Sequence, residues 1–87
     1  MAMYYARSVC VEAYRNGARD EMRLCELALV THDAGDPLVS VFDATTGTEH
    51  VLNIAVLRGF EIATAPSERA AIVDALERAE KAAKVTP

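Results

Sequence analysis

The sequence contains no tryptophan and few other aromatic residues. Aromatic residues make up 6% of its 87 residues, whereas hydrophobic residues of all kinds make up 52%. The core must therefore consist mainly of alanine, valine, leucine and isoleucine. A chain of this length predicts a single small domain, residues 1–87, with a modest buried fraction. Because small domains often complete a thin core by oligomerising, we expect self-association or a partner protein.

Long apolar runs and cysteine motifs are also missing. No stretch approaches the ~18 apolar residues of a membrane span, and residues 1–15 lack the basic start and apolar run of a secretory signal. We therefore expect a cytoplasmic protein that does not enter a membrane. The two cysteines, Cys10 and Cys25, lie in apolar contexts without CxxC spacing. That pattern predicts buried reduced thiols, with a disulfide between them as the alternative.

Positive charge is scarce where the chain is most acidic. The formal net charge is −4, and basic and acidic residues cancel within residues 1–31 and again within residues 66–87. The excess lies in residues 32–65, where Arg58 alone opposes these carboxylates: Asp33, Asp36, Asp43, Glu49 and Glu61. Without a basic patch, direct binding of nucleic acid is not expected. The acidic segment instead suggests an alternative function, mimicry of nucleic acid in a partner's basic groove.

The residue combinations that catalysis requires are absent as well. The four glycines are scattered along the chain, so they form no phosphate-binding loop. No serine stands at a recognisable spacing from a histidine and an acid, and neither cysteine has a basic neighbour in a motif. We therefore predict that the protein is not an enzyme and uses no cofactor.

One group does contain residue types that bind metals. His32, Asp33 and Asp36 occupy a loop, and His50 would join them if the following hairpin folded back on it. This group suggests an alternative function, that of a small ligand- or metal-dependent protein. Its spacing matches no established metal motif, and aspartate near glycine or proline is ordinary turn chemistry. The main prediction is therefore that the group holds no metal.

The strongest β signal lies in the middle of the chain. Two β-rich runs, residues 38–42 and 51–57, flank a segment whose Asp, Thr and Gly are typical of a turn. This pattern predicts a central β-hairpin over about residues 38–57. The apolar side chains of the hairpin are expected to close the core: Leu38, Val39, Val41, Phe42, Val51, Leu52, Ile54 and Val56.

An amphipathic helix is predicted over about residues 66–84. Pro66 suits the first helical turn, where its missing N–H costs nothing. Acidic residues precede basic residues by four positions on the polar face, an order that stabilises helices. Ile72 and Leu76 lie on the apolar face and are expected to cover the hairpin.

Residues 3–17 fit two structures. As a helix they place Ala6, Val9, Cys10, Ala13 and Tyr14 on one face. As a strand they alternate, and Asn16 and Gly17 form a type I′ hairpin turn. The helix separates polar from apolar residues more cleanly, so we predict a helix; the alternative is that residues 4–15 form a strand of the same sheet. Residues 19–31, rich in helix-forming residues, predict a second helix. The predicted fold class is therefore α+β.

These features favour a non-enzymatic protein–protein interaction module. Such a module is an inhibitor, adaptor or accessory factor that acts as a homodimer or docks on a larger protein. Two regions are candidates for the binding surface. Tyr4 and Tyr5 resemble the aromatic anchors of interfaces, and Asp43 and Glu49 are carboxylates without basic neighbours that would attract a basic partner.

Overall fold

The computed structural model describes residues 1–85, and side chains as far as residue 82. Six antiparallel strands form one sheet that curls into a half-barrel, and a single helix follows them. In chain order the elements are β1 (Ala2–Arg15), β2 (Ala18–Cys25), β3 (Ala28–His32), β4 (Leu38–Asp43), β5 (Thr48–Asn53), a 3₁₀ turn (Ile54–Val56), β6 (Leu57–Ile62) and α1 (Pro66–Val85).

The predicted α+β class with N-terminal helical segments is wrong. The residues assigned to those helices form β1, β2 and β3, which matches the alternative of a strand over residues 4–15. β1 lies in the middle of the curled sheet, where the inner cluster covers Ala6 and Val9 on one face and the helix side packs against Tyr5 on the other, so its side chains are buried or half-buried on both faces. That arrangement blurs the two-residue alternation by which a strand is recognised. In β2, pairing with β1 overrides the helix propensity of residues such as Glu21 and Met22.

A tight turn at Asn16 and Gly17 joins β1 to β2. Arg15 lies opposite Ala18, and both turn residues have positive φ, 53° at Asn16 and 79° at Gly17. A type I′ turn requires positive φ at both central positions, and Asn-Gly is the pair that adopts it most readily. The Asn-Gly pair therefore ends a strand here rather than a helix.

β2 and β3 together act as one long partner of β1. Val9 lies opposite Cys25 and Ala6 lies opposite Ala28, so the register continues across the break between the two strands. Cys10 is paired with Arg23, which leaves Leu24 as an extra residue in a β-bulge. Bulges of this kind bend a strand and increase its twist. The bulge at Leu24 thus contributes to the curl of the sheet.

The curl is completed by the connection between β5 and β6. β3 pairs with β4 and β4 with β5, whereas β6 pairs with the opposite edge of β1. β5 and β6 therefore lie at the two ends of the sheet, yet only the residues of the 3₁₀ turn, Ile54–Val56, separate them. A link this short requires the ends of the sheet to curve toward each other.

Two apolar clusters lie on the two faces of the sheet. The inner cluster, on the concave face, consists of small and β-branched residues: Ala6, Val9, Cys25, Ala28, Val30, Val39 and Val41. The outer cluster lies between the sheet and the helix and contains Leu29, Phe42, Ile72 and Ala75. Successive strand residues face opposite sides. Ala28 and Val30 therefore point inward while Leu29 between them points to α1.

The central hairpin predicted over about residues 38–57 corresponds to β4 and β5, and its predicted contribution to the core is only partly correct. Val39, Val41 and Phe42 are buried, but Leu38, Val51 and Ile54 are exposed. Leu38 of β4 and Val51 of β5 lie on the outer face, where α1 does not reach them. β5 is in addition an edge strand of the sheet.

Across residues 1–85, no helix combines the length and the apolar character that crossing a bilayer requires.

Ile72 is the α1 side chain on which the outer cluster depends, since it is fully buried against Leu29 and Phe42. We expect Ile72→Ala to lower the free energy of unfolding by about 2–5 kcal/mol because it leaves a cavity. Val73→Ala, one position along and partly exposed, is the matched control and should cost no more than about 0.5 kcal/mol. Urea unfolding followed by circular dichroism measures both. Equal losses would show that α1 does not pack through Ile72.

Candidate interaction surface

A shallow depression opens where the chain leaves β6 and enters α1. Its volume is about 260 Å³, and its lining, which we call the Tyr4 surface, consists of Met3, Tyr4, Tyr5, Ile62, Ala63 and Arg69. β6 pairs with β1 only from Ala6 onward, and the next bond runs from the Ala63 N–H to the Tyr5 carbonyl oxygen at 2.8 Å. Within residues 1–85, the β1 edge at Met3 and Tyr4 that faces away from β3 therefore has no strand beside it.

The two neighbouring tyrosines point to opposite faces of β1. Tyr4 lies on the inner face, where its ring centroid is 5.1 Å from that of Phe60 and the rings are tilted by 47°. Tyr5 packs against the outer cluster, and the guanidinium carbon of Arg69 lies 5.1 Å from its ring centroid. Both contacts are favourable aromatic geometries. The structure therefore places both tyrosines at one depression but does not join them into a single aromatic anchor.

Three apolar side chains of the Tyr4 surface remain open to solvent. Met3 and Ile62 are each 49% exposed, and Tyr4 is 40% exposed. Arg69 lies at their margin, and none of the ion pairs among the described side chains includes it. An apolar depression beside an uncompensated cation is suited to a ligand that offers an apolar group next to a carboxylate.

Sequence reasoning identified the tyrosines of this surface and missed its other members. Met3, Ile62 and Arg69 are far apart in the chain and meet only because β6 pairs with β1 and α1 then returns across the sheet. The alternation of residues 57–62 contains a partial signal, because it leaves Ile62 as an apolar residue at the end of a strand.

Asp43 and Glu49, the two predicted acidic contacts, lie on opposite faces of the hairpin. Asp43 is buried, and its carboxylate accepts a hydrogen bond from the Thr45 N–H at 2.9 Å. Its carbonyl oxygen accepts another from the Gly47 N–H at 2.8 Å, where Gly47 has the positive φ of 74° that the turn requires. Asp43 thus orders the turn, whereas Glu49 is exposed on β5. Their contact with a partner stays a prediction.

The remaining carboxylates of residues 32–65 do not converge on one surface. Glu61 forms an ion pair with Arg7 at 3.0 Å, and Asp33 lies 3.9 Å from the N-terminal ammonium. The Asp36 carboxylate accepts a hydrogen bond from the Leu38 N–H at 2.9 Å. Mimicry of nucleic acid needs a continuous array of free carboxylates, so this dispersal offers it no support.

Of the group His32, Asp33, Asp36 and His50, the structure brings the first three together at one depression and leaves His50 apart. His32 donates from Nε2 to the carbonyl oxygen of Asp36 at 2.8 Å, which uses the imidazole within the loop. His50 lies opposite Val41 on β5, two strands away from β3. Among the described residues, no three histidine, cysteine, aspartate or glutamate side chains are grouped so that they could hold a metal ion. The ligand- or metal-dependent alternative stays a prediction that no grouping supports.

Glu12 forms a charge cluster that sequence reasoning missed. Its carboxylate accepts from Arg58 of β6 at 2.6 Å and from Arg19 of β2 at 2.8 Å, and its side chain is only 12% exposed. Arg58, the one arginine or lysine within residues 32–65, therefore forms its ion pair with a carboxylate outside that segment. Because the cluster joins the strands on both edges of β1, and shielded pairs with good geometry are worth more than exposed ones, we assign it a structural role.

Comparison with models of known protein families, with curated proteins and with solved structures finds no match for this chain. The functional interpretation therefore depends on the residues and the geometry described above.

Cys25 is a buried free thiol on the inner face near the Asp43 turn, whereas the free thiol of Cys10 is only half-buried. Burial and, to a smaller extent, the negative charge of Asp43 together raise the pKa of the Cys25 thiol from 9.0 to about 11. The neutral thiol is thus the form that the folded state favours. The raised pKa also makes Cys25 a poor nucleophile at neutral pH, since the thiolate is the reactive species.

This pKa predicts a loss of stability at high pH. The folded state retains the Cys25 proton above pH 9.0, where the unfolded chain releases it, so the stabilisation is complete below pH 9.0 and is lost as the pH rises to about 11. Across this pH window, the free energy of unfolding measured in urea should fall more steeply for the parent protein and for Cys10→Ala than for Cys25→Ala. Parallel slopes for all three proteins would contradict a buried, proton-retaining Cys25.

Proposed function

We propose that the protein is a non-enzymatic protein–protein interaction module that binds its partner through the Tyr4 surface. The observation that carries the proposal is the grouping of exposed Met3, Tyr4 and Ile62 around one depression with Arg69 at its margin. Tyrosine, methionine and arginine are enriched at protein interfaces, and buried aromatic and arginine side chains provide most hot spots. Contiguous exposed apolar residues with a polar rim are typical of such surfaces.

The size of the depression favours a protein side chain as its occupant. At about 260 Å³ it is smaller than the ~300–1,000 Å³ clefts that enclose small-molecule ligands. An apolar side chain of a partner would displace water from Met3, Tyr4 and Ile62. A carboxylate beside that side chain would pair with Arg69, whose charge is not neutralised by another described side chain. The partner we propose is therefore a protein segment with an apolar residue next to an acidic one.

The roles that fit such a module are those of an inhibitor, an adaptor or an accessory factor in the cytoplasm. Each requires a folded scaffold with one binding surface and no reacting groups. The high pKa of Cys25 and the local bonding of His32 agree with a module that performs no chemistry.

A photo-crosslinking amino acid at position 4 tests the proposal in extracts. We expect crosslinks from position 4 to a defined protein, at peptides in which an apolar residue adjoins an aspartate or glutamate. The same crosslinker at position 14 is the matched control, because Tyr14 is an exposed tyrosine of β1 outside the Tyr4 surface. Identical crosslinks from the two positions would contradict a specific surface at Tyr4.

Substitutions then measure the affinity for the captured partner. Ile62→Asp and Arg69→Glu should each weaken binding by at least about tenfold, the equivalent of ~1.4 kcal/mol at a hot spot. Met22→Asp is the matched control for Ile62→Asp, since Met22 is a similarly exposed apolar residue on β2, and should leave the affinity unchanged. Charge reversal in the partner should restore binding to Arg69→Glu. Unchanged affinity for both variants would exclude the Tyr4 surface as the binding site.

A further inference from the structure

The edge of the sheet formed by β5 carries free backbone groups. In an antiparallel pair, alternate residues exchange hydrogen bonds with the partner strand. The Ile54 N–H donates to the Pro37 carbonyl oxygen at 2.8 Å, and the register places Leu52 opposite Val39 and His50 opposite Val41. These alternate positions therefore face β4. The N–H and C=O groups of Glu49 and Val51, and the N–H of Asn53, point away from the sheet, where no strand of residues 1–85 pairs with them. The Asn53 carbonyl accepts the first hydrogen bond of the 3₁₀ turn that Asn53 caps.

β5 is also the least protected of the three outer strands, β2, β5 and β6. Natural edges are usually shielded by charged side chains, by bulges or by a covering element. The β2 edge carries charged residues at four of its eight positions, Arg19, Asp20, Glu21 and Arg23. The β6 edge belongs to a strand with two register irregularities against β1. β5 pairs with β4 in unbroken register and carries a single carboxylate, Glu49.

Exposed apolar side chains accompany this open edge. Val51 is 58% exposed on the outer face, and Ile54, directly after the strand, is 40% exposed. Leu38 of β4 lies on the same face as Val51 and is also exposed. An edge strand that combines free backbone groups with solvent-exposed valine and isoleucine is a template for pairing with another strand.

We propose that two copies of this chain pair antiparallel through β5, with a two-fold axis at Val51. In this register Glu49 lies opposite Asn53 of the second copy and Thr48 lies opposite Ile54. The two sheets then form one continuous sheet, with both α1 helices on the same face. An isologous pairing of this kind gives a closed dimer with two-fold symmetry, which is the commonest symmetry among soluble oligomers.

Charge and strand length together select this register, because an axis at Leu52 or Asn53 would keep the carboxylates apart but would pair at most residues 51–53 of each β5. An axis at Glu49 would place two carboxylates directly opposite each other, which is destabilising. An axis at His50 would separate the two Glu49 residues by only two positions along the strand. With the axis at Val51 they are four positions apart, about 13 Å at ~3.3 Å per residue, beyond the ~8 Å over which exposed charges act in physiological salt.

This inference is independent of the proposed function, because the β5 edge and the Tyr4 surface share no residue. Sedimentation equilibrium of the full chain should show a concentration-dependent dimer. Val51→Lys should abolish it because two ammonium groups would meet at the axis, whereas Val51→Thr, which retains β-branching and no charge, should preserve it. Circular dichroism distinguishes loss of pairing from unfolding. Ile62→Asp, at the Tyr4 surface, should leave the dimer intact.

Asn53→Asp tests the register itself. The carboxylate can still accept the hydrogen bond that the Ala55 N–H donates to Oδ1 of Asn53 at 2.9 Å, but it would face Glu49 of the second copy. We expect the dimer dissociation constant to rise several-fold, with relief at high salt, and the double variant Glu49→Gln, Asn53→Asp to recover parental affinity. A dissociation constant unaffected by Asn53→Asp would overturn the register.

Amide hydrogen exchange identifies the paired strand directly. The amides of Glu49, Val51 and Asn53 should become protected as the protein concentration rises and should lose that protection in Val51→Lys. His50 and Leu52, which bond to β4, should be protected at every concentration. A protein that stays monomeric up to its solubility limit overturns the proposal, as does a dimer in which these three edge amides exchange freely.

Discussion

The pairing of β1 on both of its edges is the constraint on which the rest of the structure depends. β2 and β3 together occupy one edge, and β6 occupies the other. Since β5 and β6 are joined only through Ile54–Val56, this central position of β1 forces the sheet to curl. A concave face offers little room. It is filled accordingly by alanine and valine, with Ala6 and Ala28 directly opposite each other at its centre.

A single helix cannot cover the convex face of such a sheet. α1 packs on Leu29 and Phe42, in the middle of that face. On one side of α1 the sheet carries the charge cluster in which Glu12 forms ion pairs with Arg19 and Arg58. Apolar residues stay open elsewhere, at Leu38 and Val51 on the outer face and at the Tyr4 surface around the unpaired edge of β1. Both proposed binding regions therefore lie where the aromatic-poor core of this small protein is incomplete.

Local signals in the sequence identify turns and the final helix better than they identify strands. Pro66 and the acid-to-base spacing predict α1, and the Asp43–Thr48 segment predicts the hairpin turn, because these features act through bonds between near neighbours. Asn16 and Gly17 were equally informative, since both adopt the positive φ of a type I′ turn. The helix predicted for residues 3–17 followed instead from the helical spacing of Ala6, Val9 and Cys10, and that prediction is wrong. The side chains of β1 are covered on both faces, and sequence periodicity alone does not distinguish such a strand from a helix.

The candidate site was less accessible to sequence reasoning because its members come from three separate elements. Tyr4 is recognisable as an aromatic residue on an amphipathic segment, but Ile62 and Arg69 acquire meaning only once β6 lies beside β1. Asp43 illustrates the opposite error. Its lack of basic neighbours suggested a free charge, whereas its carboxylate is buried and bonded to the turn. Charge counted along a chain does not reveal whether a carboxylate caps a backbone group.

The double pairing of β1 also leads us to expect an order of events during folding. The Asn16-Gly17 turn brings β1 and β2 together through neighbours in sequence, at little entropic cost. β6 is the last strand in the chain, so its contacts with β1 join residues that are far apart in sequence, and we expect them to form late. Until then the second edge of β1 lies open, with Val9 and Tyr4 uncovered by Phe60. We therefore expect the newly made chain to be most vulnerable to aggregation before residues 57–62 pair with β1.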